Sequence, residues 1–191
     1  MDNEAHLHGR EPRWYFARRR LRSTAPAALW DWLLDASSLT RRLQRACGGH
    51  FRIEILEQRW GRPLASERRA LGIKRGGRAV IREVRLLCGE TPWVFARTVI
   101  PVRTLRGPQR RLAHLGAKPL GAALFADPHL RRGEVEVTRI GPGEKLFEHA
   151  VGASAVAAAV WGRRSLFWLR GKPLLVSEFF LPALLGSHGG E

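Results

Sequence analysis

Three charged residues occupy strand positions that would otherwise be apolar. Arg82 falls in the 79–88 stretch in line with Val80, Val84, Leu86 and Cys88. Arg97 falls in line with Trp93, Phe95 and Val99, and Glu178 with Leu174, Val176 and Phe180. Side chains alternate faces along a strand, so each charge shares a face with hydrophobic neighbours. A guanidinium stays charged and can grip a carboxylate with two parallel hydrogen bonds. Two of them in one dry pocket suit a ligand with two carboxylates, leaving Glu178 to bind a hydroxyl or move a proton. An unpaired buried carboxylate is costly unless its pKa rises until it is neutral. Two readings of the pattern stay open. The charges line a catalytic pocket, or they form a salt-bridged core in which Glu178 pairs with a nearby arginine.

The chain that must position them has 191 residues, enough for one domain with a substantial core. Its hydrophobic content of 45% and charged content of 26% are those of a folded globular protein. The formal charge of +16 raises nucleic acid or a small anionic substrate as partners, but the arginines are spread through every segment. Cys47 and Cys88 fit no metal-ligand or redox spacing, and the histidines include no pair at His-x-x-x-His spacing. No metal site is expected. The N-terminus is charged, with no apolar run of signal-peptide type, and the uncharged run 150–162 is too short to span a bilayer. A soluble, cytoplasmic protein with reduced thiols is expected.

Residues 1–22 read as a basic N-terminal extension carrying Trp14-Tyr15-Phe16, residues 23–185 as one domain, and 186–191 as a tail. Helical spacing of Leu29, Trp30, Leu33 and Leu34 predicts a helix from Pro26. A second follows Ser37-Ser38 and stops at Gly48-Gly49. Phe51, Ile53 and Ile55 alternate as a strand, whereas 61–77 offers no clear element. Residues 79–88 and 93–102 read as a hairpin, and 105–125 as a helix in two pieces broken at 116–119. Residues 133–140 alternate weakly, and 146–159 read as a helix or an Ala-rich loop. Strands 160–170 and 171–182 join through Gly171-Lys172. Both faces of the last strand are apolar, so it should be covered on both sides. The fold class is α+β, a single domain with a central antiparallel β-sheet flanked by helices.

Five blocks give a more specific signal: 81–88 (IREVRLLC), 92–101 (PWVFARTVIP), 115–121 (LGAKPLG) with Leu124-Phe125, 161–165 (WGRRS), and the 171–182 strand. In this order they resemble the chorismate pyruvate-lyase family of bacterial ubiquinone biosynthesis. The resemblance implies a chorismate lyase-like sheet and conversion of chorismate to 4-hydroxybenzoate and pyruvate, with no metal or organic cofactor. It implies that Arg82 grips the ring carboxylate, helped by backbone groups at Leu39 and Leu120, and that Glu178 contacts the ring 4-hydroxyl. Arg82 and Glu178 are then the catalytic residues. Arg97 is expected deeper in the pocket, serving the enolpyruvyl carboxylate. Partners follow as chorismate and 4-hydroxybenzoate, with the chain a monomer and no nucleic acid bound. Contact of the basic surface with a membrane or the next pathway enzyme stays open. Leu39 stands where some relatives have Met, and 141–159 looks inserted.

Two functions of other classes compete. One is a non-catalytic, aromatic-acid-binding sensor domain, since the same fold occurs in effector domains of bacterial transcription regulators, although the residues before Ser23 are too few for a DNA-binding domain. A basic nucleic-acid-binding domain would need a continuous basic face and steep salt dependence.

Overall fold

The computed structural model describes residues 9–17, 25–152 and 158–186. Its frame is set by three long hairpin partners. Strand β2 (Phe51–Gly61) pairs with β3 (Ala79–Cys88), β3 with β4 (Thr91–Pro101), and β7 (Val160–Leu169) with β8 (Lys172–Phe180). The β7–β8 turn places both Arg170 and Gly171 at positive φ. That backbone matches the twist of a tight hairpin, and glycine accepts it without strain.

Shorter strands complete the sheet: β1 (Tyr15–Phe16), β5 (Leu130–Arg132) and β6 (Glu136–Ile140). The order is β1-β6-β7-β8-β4-β3-β2, with β5 also pairing with β7, and every pairing is antiparallel. The hydrophobic β8 therefore lies centrally between β7 and β4, covered on both faces as its composition requires. Tyr15 and Phe16, from the basic N-terminal stretch, form one edge of the sheet.

Helices cover each face. On the front, α1 (Ala27–Leu34) and α2 (Leu39–Ala46) pack Leu29, Trp32, Leu33 and Leu43 against Val84, Val94 and Phe180. A 3-10 helix (Gly107–His114) and α4 (Leu120–Phe125) bring Leu112 and Leu124 onto Val80, Leu174 and Val176. On the back, α3 (Ala65–Ala70) precedes Leu71, which packs with Val99 and Leu175. Helix α5 (Phe147–Val151) brings Phe147 and Ala150 onto Phe95 and Phe179. Helix α6 (Pro182–Gly186) follows β8 and buries Leu184 in the front cluster.

The antiparallel α+β class and the element order agree with the sequence reading, with four additions and one correction. Two of the additions are β1, within the stretch read as an N-terminal extension, and α6 after β8. Helix α3 lies in the stretch where no element was expected, and β5 precedes the weak strand as a separate element. The correction concerns the cysteines. Cys47 and Cys88 form a disulfide across 41 positions, not two separate thiols. Gly89 N–H donates to the His50 carbonyl at 2.9 Å, drawing the end of β3 against the end of α2.

Candidate active site

The two front clusters leave a gap between them, and the polar residues of the front face gather there. It is a small, partly open cavity of about 60 Å³. Its floor is sheet, with Val84, Ala96, Thr98 and Val176, and its roof is Leu39 and Thr40 from α2 and Leu120, Gly121 and Leu124 from α4. Ligand cavities for organic molecules are typically ~300 Å³ or more, so the roof must lift to admit one.

Arg82 enters from β3 and is 2% exposed. Its cross-strand neighbour Gln58 holds it: Arg82 Nη1 donates to Gln58 Oε1 at 2.8 Å, and Gln58 Nε2 donates to the Ala113 carbonyl. Burial lowers the Arg82 pKa below its ordinary value, and no carboxylate of the described residues offsets that effect. A buried guanidinium in this state is a receptor for an anion.

Glu178 enters from β8, opposite Arg163 of β7. Arg163 Nε donates to Glu178 Oε2 at 2.6 Å, and Arg163 Nη1 donates to the carbonyls of Trp32 and Asp35, each at 2.7 Å. Those carbonyls lie at the C-terminal end of α1, where a helix leaves acceptors unsatisfied and favours a cation. Arg132 of β5 joins the same corner. Its Nε donates to Ser165 Oγ and its Nη1 to the Asp35 carbonyl, both at 3.1 Å. Its guanidinium carbon stands 5.3 Å from the centre of the Phe167 ring. Burial and then the Arg163 charge lower its pKa, against the opposing pull of Glu178 and Asp35.

Of the expected site residues, Arg82, Glu178, Leu39 and Leu120 all line this cavity. Arg97 does not. It projects from β4 to the back face, where its Nε and Nη2 donate to Glu67 at 2.7 and 3.1 Å and its Nη1 to Glu83 at 2.5 Å. Burial opposes its charge, but the two carboxylates outweigh that effect and raise its pKa. Ala96 and Thr98 flank it in sequence and face the cavity, so alternation sends Arg97 the other way. Its expected role beside the ligand is corrected: it is the centre of a buried ion cluster. Glu83 also meets His149 Nδ1 at 2.9 Å, and Glu67 accepts from the Leu64 N–H at 2.8 Å at the start of α3.

Arg163, Arg132 and Gln58 were missed by sequence reading as residues of the site. Consecutive arginines in a strand must point to opposite faces, so Arg163-Arg164 carried a signal for one inward charge. The Arg132 strand is too short to show a period.

The family model described as Chorismate lyase matches residues 7–188. The chain belongs to the chorismate lyase family. It is 46% identical over 168 residues to "Probable chorismate pyruvate-lyase" of Azoarcus sp. (strain BH72), covering 85% of this chain and 88% of that relative. The protein of the same name from Methylococcus capsulatus is 46% identical over 156 residues, covering 81% and 95%. Among solved structures, the effector domain of PhnF from Mycobacterium smegmatis superposes with a TM-score of 0.57 at 11% identity, covering 78% of this chain and 91% of that one. The C-terminal domain of the histidine utilization repressor from Pseudomonas syringae gives 0.53 at 11% identity, covering 74% and 96%. At such identities the likeness is one of fold. The front cavity is walled by strands β3, β4, β7 and β8 of the one sheet.

Proposed function

We propose that this protein is a chorismate pyruvate-lyase, acting in the front cavity on chorismate to release 4-hydroxybenzoate and pyruvate. The observation that carries the reading is the charge of the cavity wall. Arg82, Arg132 and Arg163 face it with the single carboxylate of Glu178, an excess of two positive charges. Chorismate carries two carboxylates and matches that excess, so neither partner is left buried and unpaired.

The chemistry asks little of a nucleophile. The ring gives up a proton at C4 and its ether C–O bond at C3 breaks, leaving an aromatic ring, while the departing enolpyruvyl group ends as pyruvate. The C4 proton passes to the leaving group's methylene carbon directly or through an intermediary. The enzyme must select the reactive conformer and stabilise charge on the departing oxygen. Arg82 anchors the ring carboxylate beside Leu39 and Leu120, and Glu178, oriented by Arg163, accepts a hydrogen bond from the ring hydroxyl. The closed roof excludes water while the ether breaks, and its reopening governs product release. In this reading the protein works in the cytoplasm without a cofactor and supplies the aromatic precursor of ubiquinone.

Incubating the purified protein with chorismate tests this directly. Equal amounts of 4-hydroxybenzoate and pyruvate are expected. Chorismate recovered unchanged overturns the proposal, as does pyruvate released with a different aromatic acid.

A further inference from the structure

With Arg97 on the back face, the second carboxylate of a dianionic substrate lacks the anchor that sequence reading assigned to it. We infer that Arg132 holds the enolpyruvyl carboxylate of chorismate and is thereby a specificity-determining residue of the site. The inference rests on the lyase reading above.

Three observations place it there. The first is position. Arg82, Thr98, Val176 and Ser165 form one cross-strand row over β3, β4, β8 and β7, and Arg132 donates to the Ser165 end of that row. Neighbouring strands lie ~4.8 Å apart, so the backbones of Arg82 and Ser165 are separated by about 14 Å. Side chains reaching inward from both ends define a span that one flat diacid bridges across β4 and β8 once the roof lifts.

The second is bonding capacity. Arg163 has its charge paired, its Nε meeting Glu178 while its Nη1 bonds two carbonyls. Arg132 bonds one hydroxyl and one carbonyl at 3.1 Å each. A guanidinium has five N–H donors, so Arg132 keeps capacity for an anion, and neither of its two acceptors neutralises it.

The third is adjacency. The electrostatic pull of Glu178 reaches Arg132, and Arg163 bridges the two by bonding Glu178 and sharing the Asp35 carbonyl with Arg132. In chorismate the enolpyruvyl ether stands on the carbon next to the one bearing the hydroxyl. A hydroxyl at Glu178 therefore brings the enolpyruvyl carboxylate beside Arg132. The same contact places a cation where charge builds as the ether bond breaks.

Substrate and product separate this role from a structural one, because 4-hydroxybenzoate lacks the second carboxylate. Arg132→Gln and Arg132→Lys would be compared with the unsubstituted protein for chorismate kcat and KM, and for 4-hydroxybenzoate affinity by calorimetry. Arg132→Gln is expected to raise KM about 10- to 100-fold, the range of one lost charged hydrogen bond, while product affinity changes less than about twofold. Arg132→Lys is expected to fall between the two and guards against a misfolded glutamine variant. Equal losses for substrate and product in both variants, or no change in KM, overturn the inference. If the unsubstituted protein releases neither product from chorismate, the lyase reading itself fails and this inference with it.

Discussion

Arg163 Nε stands 2.6 Å from Glu178 Oε2, joining the first half of β7 to the last third of β8 at the edge of the cavity. The contact makes Glu178 both a paired structural carboxylate and a cavity residue, two roles that had looked like alternatives. It also ties the site to α1 through the carbonyls of Trp32 and Asp35.

Arg163→Ala is accordingly expected to harm stability and chemistry together. It strands a carboxylate and the buried Trp32 carbonyl, and breaking a buried pair from one side costs about 3–5 kcal/mol. Urea unfolding monitored by the tryptophans measures the loss. A change below about 1 kcal/mol would show that water replaces the guanidinium.

Arg97→Met should act on the fold alone. The substitution leaves Glu67 and Glu83 buried without their cation, again a loss of about 3–5 kcal/mol. Whatever fraction folds is expected to bind chorismate with an unchanged KM, because Arg97 lies on the far face of β4. A raised KM in folded protein would contradict that placement.

That contrast marks how far the sequence could be read. Periodicity exposed Arg82, Arg97 and Glu178 as charges on apolar faces, because an alternating strand makes an intruding charge visible. It could not say which face was the front. Strands buried on both sides have no solvent face to orient them, and only the pairing of Ala96 with Glu178 puts Arg97 opposite. Gln58 was hidden by the register shift between Ile55 and Glu57, which changes the alternation of β2 midway. Arg132 sits in three residues of strand, too few for any period. The disulfide joins residues 41 apart and has no local signature. The helices fared better, since Ser38 caps α2 as its type suggests, its Oγ accepting from the Arg41 N–H at 3.5 Å.

The pair of His149 and Glu83 predicts a pH dependence of stability. The hydrogen bond to Glu83 raises the His149 pKa, outweighing burial. Burial alone would raise the Glu83 pKa, but His149 and Arg97 lower it. Glu83 therefore stays ionised while His149 titrates. A histidine whose folded pKa is raised contributes stability below its unfolded value of about 6.5, and that contribution fades as pH climbs through the folded value. The stability gap between the unsubstituted protein and His149→Gln should be widest near pH 5–6 and close above the raised pKa. Urea midpoints across that range check it, and a gap that widens with pH would contradict it.

Gly121 controls how tightly the roof shuts. A Cβ added there would lie 2.8 Å from Thr40 Oγ1 and 3.4 Å from Ser38 Oγ, so α4 meets the start of α2 only because the residue is glycine. Gly121→Val is expected to prop the two apart, at an overpacking cost of about 1–3 kcal/mol to the closed form. Product affinity should fall about tenfold or more in step with that cost, with 4-hydroxybenzoate becoming a weaker inhibitor. Inhibition constants for both proteins test it; equal values would mean that the roof closes elsewhere.

The central claim is that the front cavity performs chorismate lyase chemistry through its unpaired guanidinium, and one comparison tests it most directly. Turnover of chorismate would be measured for the unsubstituted protein and for Arg82→Gln, with circular dichroism confirming that both are folded. The predicted result is a kcat/KM at least about 100-fold lower in Arg82→Gln, as befits loss of a buried charged contact. A folded Arg82→Gln that turns chorismate over at the unsubstituted rate would place the chemistry outside this cavity.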